Sequence, residues 1–136
     1  MHATAVALGE RAVLLQGPPG SGKSDLALRL IESGWSLVAD DRVVITRRGM
    51  MLFASPPSTL AGLIEARGIG ICRVPFRAEA EVVLAVQLVS AETVERLPQV
   101  RSSTFLGLPI QLINMEPFEA SAPAKLRLAL GGAVVR

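Results

Sequence analysis

Cysteine is almost missing: Cys72 is the single one in 136 residues. No internal disulfide can brace the fold. Cys72 sits in the apolar run Ile69-Gly70-Ile71-Cys72-Arg73-Val74, which predicts a buried structural thiol and fits a reducing cytoplasm. Tyrosine is absent, and aromatics make up only 4% of the chain. The formal charge of +2 reflects a slight excess of arginine over acid, with no dense basic cluster and no interleaved aromatics. That pattern excludes nucleic acid as an expected partner. No run approaches the roughly 20 apolar residues of a membrane-spanning helix. The segment Met1 to Leu8 lacks the basic start of a signal peptide, so no membrane association is expected.

Apolar residues are plentiful. They form 50% of the chain, enough for one sizeable core in a single domain over residues 1–136. So apolar a composition also predicts surface buried between subunits, and hence a homo-oligomer. Residues 3–8 and 11–16 read as a hairpin around Gly9-Glu10. Further strands are expected at 35–39, 42–46, 50–54, 81–89 and 108–113, with Arg47-Arg48-Gly49 as a turn. Helical spacing covers 24–33, closed by Gly34, and 124–130, closed by Gly131-Gly132. Residues 59–66 read as a short helix capped by Ser58, and 91–97 as a helical turn. Gly-punctuated 67–71 reads as extended. Many strands and few helices predict a mixed, strand-rich α/β sheet around the first helix.

Between the strand Arg11–Gln16 and that helix stands Gly17-Pro18-Pro19-Gly20-Ser21-Gly22-Lys23-Ser24. This is the G-x-x-x-x-G-K-S phosphate-binding loop in its required strand–loop–helix setting. Glycines let successive N–H groups turn toward a phosphate chain. Lys23 brings charge to the β- and γ-phosphates, and Ser24 offers a hydroxyl to Mg²⁺. ATP and Mg²⁺ are the implied cofactors.

Phosphoryl transfer also needs an acid for the metal and one for the acceptor's proton. Asp40-Asp41, after the apolar run Leu37-Val38-Ala39, is the candidate pair. In an extended segment the two carboxylates would point to opposite faces. The alternative is a plain turn, which Asp favours. The strand 81–89 ends in Val89-Ser90 and supplies no carboxylate. Glu65 and Arg67 flank glycines in an apolar surround, as a Mg²⁺ ligand and a phosphate cation or as a surface ion pair. His2 is the only histidine.

Together these segments resemble the catalytic domain of the HPr kinase/phosphorylase family. Its motifs are matched by His2-Ala3-Thr4, by Gly17 to Ser24, by Leu37-Val38-Ala39-Asp40-Asp41, and by Ile64-Glu65-Ala66-Arg67-Gly68-Ile69-Gly70-Ile71. The resemblance is to the short form, without a preceding domain. It fades after residue 74. Where the family shows Pro-Val-Arg-Pro-Gly-Arg-Asn, this chain has Leu108-Pro109-Ile110-Gln111-Leu112-Ile113-Asn114, without either arginine. The resemblance implies an ATP-dependent serine kinase acting on an HPr-type phosphocarrier protein. It implies a second activity too, in which phosphate attacks phosphoserine and pyrophosphate leaves. Asp40 would be the base, supported by Asp41. Ser24 and Glu65 would hold Mg²⁺, and Lys23, His2 and Arg67 would stabilise the transferred charge. Arg96, in Glu95-Arg96-Leu97, would serve the acceptor side or a neighbouring subunit, and the family's hexamer would be the assembly. Two other readings remain open: a small P-loop metabolite kinase, disfavoured by the lack of an arginine-rich lid, and a nucleotide-binding module without catalysis.

Overall fold

In the computed structural model, which describes residues 1–135, the chain opens with β1 (Thr4–Leu8) and β2 (Arg11–Gln16). These pair antiparallel through the Gly9-Glu10 turn. The helix α1 (Lys23–Glu32) follows, then β3 (Ser36–Ala39) and the hairpin β4 (Val44–Arg48)–β5 (Met51–Ser55). A smaller hairpin joins β6 (Leu63–Ala66) to β7 (Gly70–Arg73). Three elements complete the sheet, β8 (Ala80–Leu88), β9 (Arg101–Phe105) and β10 (Leu108–Met115), and α2 (Ala122–Leu130) closes the fold.

The main sheet has eight strands, ordered β3-β1-β2-β8-β10-β9, with β4–β5 attached through β5 to β8. The β2–β8 and β8–β10 pairs are parallel, while β1–β2, β1–β3 and β9–β10 are antiparallel. The mixed, strand-rich α/β expectation holds. Side-chain alternation gives the sheet two buried faces. Val6, Val13, Leu15, Leu84 and Val86 point toward α1 and α2, where they meet Leu26, Leu30 and Leu126. Ala5, Ala7, Ala12 and Leu14 point the other way, toward Val43, Leu52 and Ala54. The small side chains of Ala5, Ala7 and Ala12 let Val43, Leu52 and Ala54 pack close against this face.

Several expectations are corrected. Residues 59–66 are not a helix: a single 3₁₀ turn, Ser58–Leu60, gives way to β6, and Ser58 makes no side-chain cap. Gly62 has φ +75, and a Cβ there would lie 2.8 Å from the Phe76 ring. From Leu63 onward the burial alternates with period two, Ile64 and Ala66 inward and Glu65 outward, which is strand and not helix. The supposed helical turn 91–97 shrinks to a 3₁₀ turn at Ala91–Thr93. Arg47 and Arg48 belong to β4, so the turn is Gly49-Met50. Cys72 is half-buried on β7, not enclosed.

β9 is an element that the sequence pattern did not reveal. It is an edge strand of mostly exposed polar residues, Arg101-Ser102-Ser103-Thr104-Phe105. Its two-residue turn uses Leu106 (φ +48) and Gly107 (φ +82). Such turns are usually signalled by Asn-Gly or Asp-Gly, and Leu hides the signal.

Candidate active site

β2 is central in the sheet and buried from Ala12 to Leu15. Its end therefore delivers the loop Gly17–Gly22 to a fixed place. Gly20 (φ +81) and Gly22 (φ +101) take left-handed conformations that side chains disfavour. Ser21 N–H donates to Pro18 O at 3.0 Å, closing a turn inside the loop. The first helical bond runs from Leu26 N–H to Gly22 O, at 2.9 Å. Lys23, Ser24 and Asp25 precede it, so their N–H groups find no carbonyl within the helix. Gly22 has no side chain to cap them. Open amides at the positive end of α1 form an anion-binding surface.

The Lys23 ammonium folds over the loop. It donates to Gly17 O at 2.6 Å and to Pro18 O at 3.2 Å. Carbonyl oxygens hold the charge where phosphate oxygens would compete for it. Ser21 Oγ is buried and finds no partner among the described residues. An unsatisfied buried hydroxyl costs about 1–3 kcal/mol unless something polar meets it. Both observations fit a phosphate chain.

Asp40 is the hub. Ser24 Oγ–H donates to its Oδ1 at 2.7 Å, and Thr4 Oγ1–H to the same oxygen at 3.2 Å. The N–H of Glu65 donates to Oδ2 at 3.2 Å. One carboxylate thus joins β1, α1 and β6. Asp41 differs from expectation. Its φ of +65 is left-handed, not extended, and it is exposed. Its own N–H donates to Thr4 Oγ1 at 3.2 Å, and Ala3 N–H donates to its carbonyl at 3.2 Å. Asp40-Asp41 therefore forms the turn, with Arg42 N–H donating to Asp40 O at 2.7 Å, and its first carboxylate is the hydrogen-bonded junction just described. Asp40 makes its contacts with its carboxylate, Asp41 with its backbone.

His2 bridges Arg42 across an antiparallel contact, and Met1 and Val43 exchange backbone hydrogen bonds. That pairing sets the exposed His2 beside the Asp40-Asp41 turn. Arg67 lies in the β6–β7 turn, exposed, and its side chain has no hydrogen-bond partner among the described residues. Arg96 is elsewhere. It lines a cleft with Leu97, Arg101 and Gln111 to Asn114, which includes no P-loop residue. Two arginines, Arg96 and Arg101, thus flank the β10 segment that carries none itself.

Ser24 Oγ and Thr4 Oγ1 converge on the Asp40 carboxylate, and Glu65 on β6 approaches it with its backbone N–H. Ser24 Oγ and the Asp40 carboxylate are oxygen groups of the kind a hard cation such as Mg²⁺ takes, although among the described residues no cluster of three His, Cys, Asp or Glu side chains is placed to hold a metal. Sequence reasoning missed Thr4, which is buried with 0% exposure and holds Asp40. The available signal was a lone hydroxyl at the head of an otherwise apolar strand.

A model of the HPr serine kinase C-terminal domain family matches residues 1–116. An HPr kinase/phosphorylase from Bordetella avium is 37% identical, with 76% of this chain and 38% of that protein aligned. One from Pelodictyon phaeoclathratiforme is also 37% identical, over 86% of this chain and 39% of that protein. This chain therefore spans less than half the length of the curated relatives it matches. The solved HPr(Ser) kinase/phosphatase from Coxiella burnetii superposes with a TM-score of 0.86 at 28% identity, covering 98% of this chain and 94% of that one. The P-loop, the Asp40 hub and the Glu65–Arg67 hairpin all lie inside the matched span: the chain belongs to the HPr serine kinase C-terminal domain family.

Proposed function

We propose that this chain is an ATP-dependent serine kinase acting on an HPr-type phosphocarrier protein, and that it also runs phosphorolysis of the phosphoserine product. The observation that carries the reading is the Ser24–Asp40–Glu65 junction. It couples the phosphate loop, the Asp-Asp turn and the Glu-x-Arg-Gly hairpin through one carboxylate. The relatives named above supply the class of substrate.

Each residue has a role that its position supports. The amides following Gly22, with Lys23, hold the phosphate chain. Ser24 and Glu65 would hold Mg²⁺, with Asp40 behind Ser24. The metal supplies charge neutralisation between the phosphates when bound. Asp40 accepts the serine proton in phosphorylation. In the reverse direction the same group returns a proton to the serine oxygen, as microscopic reversibility requires. Asp41 keeps Asp40 in place through the shared Thr4 hydroxyl. His2 and Arg67 add positive charge around the transferred group, and Arg96 serves the carrier or a second subunit. Exposed Ile69 and Ile71 on the β6–β7 hairpin favour burial in an oligomer, the hexamer of the family. ATP and a phosphocarrier as substrates place the activity in the cytoplasm.

A nucleotide-binding module without catalysis is the second reading, favoured by the lack of any cation within β10, Leu108–Met115. Incubating the purified chain with ATP, Mg²⁺ and an HPr-type carrier separates the two. Serine phosphorylation of the carrier, reversed by added phosphate with release of pyrophosphate, is the expected result. Tight ATP binding with no transfer supports the module instead.

A further inference from the structure

The phosphate loop accounts for one end of a nucleotide only. β2, β8 and β10 run parallel, so their carboxyl ends share one edge of the sheet, where ligands of α/β folds sit. Two segments leave that edge close together, the P-loop after β2 and the connection Glu116–Ser121 after β10.

That connection is clamped onto α1. The Arg29 guanidinium donates to Pro117 O, and to Glu119 O at 3.4 Å. Phe118 N–H donates to Glu116 Oε1 at 3.1 Å, and Lys125 pairs with Glu119. Pro117 is buried, yet Phe118 between these anchors is 62% exposed. Its ring edge rests on the phosphate loop. A Cβ at Gly22 would lie 2.9 Å from Phe118 Cζ and 3.3 Å from Pro117 Cγ. A rigidly held loop thus presents a large apolar ring to solvent at the rim of the phosphate site.

The other aromatic rings are committed elsewhere. Trp35 is buried, Phe76 covers Gly62, and Phe53 lies under Arg48. Phe105 pairs with Leu108, at the opposite end of β10.

We infer that Phe118 is the platform on which the nucleotide base stacks when the phosphates occupy Gly17–Ser24. The inference rests on the proposed ATP site and adds to it the means of holding the base. Phe118 offers a π-face and no hydrogen-bonding atom. The nearest carboxylates are engaged, Glu116 by the Phe118 N–H and Glu119 by Lys125. The base is therefore held by its face and not read at its edge, and stacking tolerates any base. ATP and GTP should depend on Phe118 alike.

The test compares dissociation constants for ATP, GTP and inorganic tripolyphosphate by calorimetry in the wild type, Phe118→Ala, Phe118→Leu and Phe118→Trp. Tripolyphosphate has the phosphate chain without the base. Loss of a base–aromatic stack should weaken ATP and GTP about tenfold in the Ala variant, with tripolyphosphate changed by less than about twofold on the same scale. Leu keeps apolar bulk against Gly22 without a π-face, so it should lose most of the same affinity. Trp should retain ATP affinity, with indole fluorescence quenched by ATP and not by tripolyphosphate. Equal weakening of ATP and tripolyphosphate in the Ala and Leu variants would make Phe118 a brace for the P-loop and overturn the platform. Unchanged ATP affinity would overturn it as well. A wild type that binds tripolyphosphate but gains nothing from a base overturns the platform and leaves the phosphate site intact. A wild type that binds neither removes the P-loop assignment, and the platform with it.

Discussion

Two glycine-bearing turns meet at Asp40, and they are built in opposite ways. The phosphate loop is anchored at both ends. Its strand β2 is central in the sheet, and its helix buries Leu26, Ala27 and Leu30. Its lysine is folded inward on Gly17 and Pro18. The β6–β7 turn is anchored only at its base, by Ile64 and Ala66, while Ile69 at its tip is 82% exposed. Arg67 beside it has no side-chain partner among the described residues. The first turn is shaped to receive a small anion with its backbone. The second projects the Arg67 charge and the apolar side chains of Ile69 and Ile71 into solvent. The Asp40 carboxylate, taking Ser24 Oγ–H on one oxygen and Glu65 N–H on the other, ties one to the other.

The largest expected effect breaks the first turn. Lys23→Ala removes the mobile cation from a site whose work is electrostatic. Transfer should fall by about a thousandfold or more, with ATP affinity falling too. Normal ATP binding and turnover would refute the assignment of the loop.

Next comes a matched pair of glycines. Gly22→Ala forces a left-handed φ of +101 on a side chain and drives its Cβ into the Phe118 ring. Gly68→Ala carries strain alone, since a Cβ at φ +89 meets nothing within 4 Å. Strain of about 1–2 kcal/mol should lower both melting temperatures by several degrees. Only Gly22→Ala should weaken ATP binding, by about tenfold, the scale of 1.4 kcal/mol. Equal ATP affinity in the two variants would erase the distinction between the turns.

Glu65→Gln sharpens it from the other side. Its backbone N–H bond to Asp40 survives the change, and only the carboxylate charge is lost. The Mg²⁺ concentration for half-maximal activity should rise about tenfold, with maximal rate largely recovered at high metal. An unchanged metal dependence would make Glu65 a structural partner. The smallest effect is at the tip. Ile69→Ser should alter folding stability by no more than about 0.5 kcal/mol, as exposed positions do, while loosening self-association in sedimentation velocity. An assembly indifferent to Ile69 would remove the hairpin from the subunit contact.

The site was readable where geometry follows from local chemistry. The glycine spacing and Lys23-Ser24 mark the loop by themselves, and the apolar run of 11–16 placed it after a buried strand. Legibility failed where a long-range partner decides. Residues 59–66 have spacing compatible with a helix, but pairing with Gly70–Arg73 and the Phe76 ring against Gly62 select a strand. Thr4 matters through Asp40, thirty-six positions away. Phe118 matters through Gly22, and nothing around residue 118 in the sequence names that partner. Asp41 shows both sides: the Asp pair signalled either a turn or a site, and the left-handed φ bears out the turn.

Asp40 is proposed to move a proton rather than to bind nucleotide. Asp40→Asn keeps the shape at the junction of Thr4, Ser24 and Glu65 and removes the base. The direct measurement is the single-turnover rate of carrier phosphorylation, with the ATP dissociation constant measured beside it, for Asp40→Asn and Asp41→Asn. Asp40→Asn should slow transfer by at least about a hundredfold, slow phosphorolysis in step, and leave ATP affinity within about twofold. Asp41→Asn should do less. A larger loss from Asp41→Asn, or an Asp40→Asn variant whose rate falls only as far as its ATP affinity, would contradict Asp40 as the base.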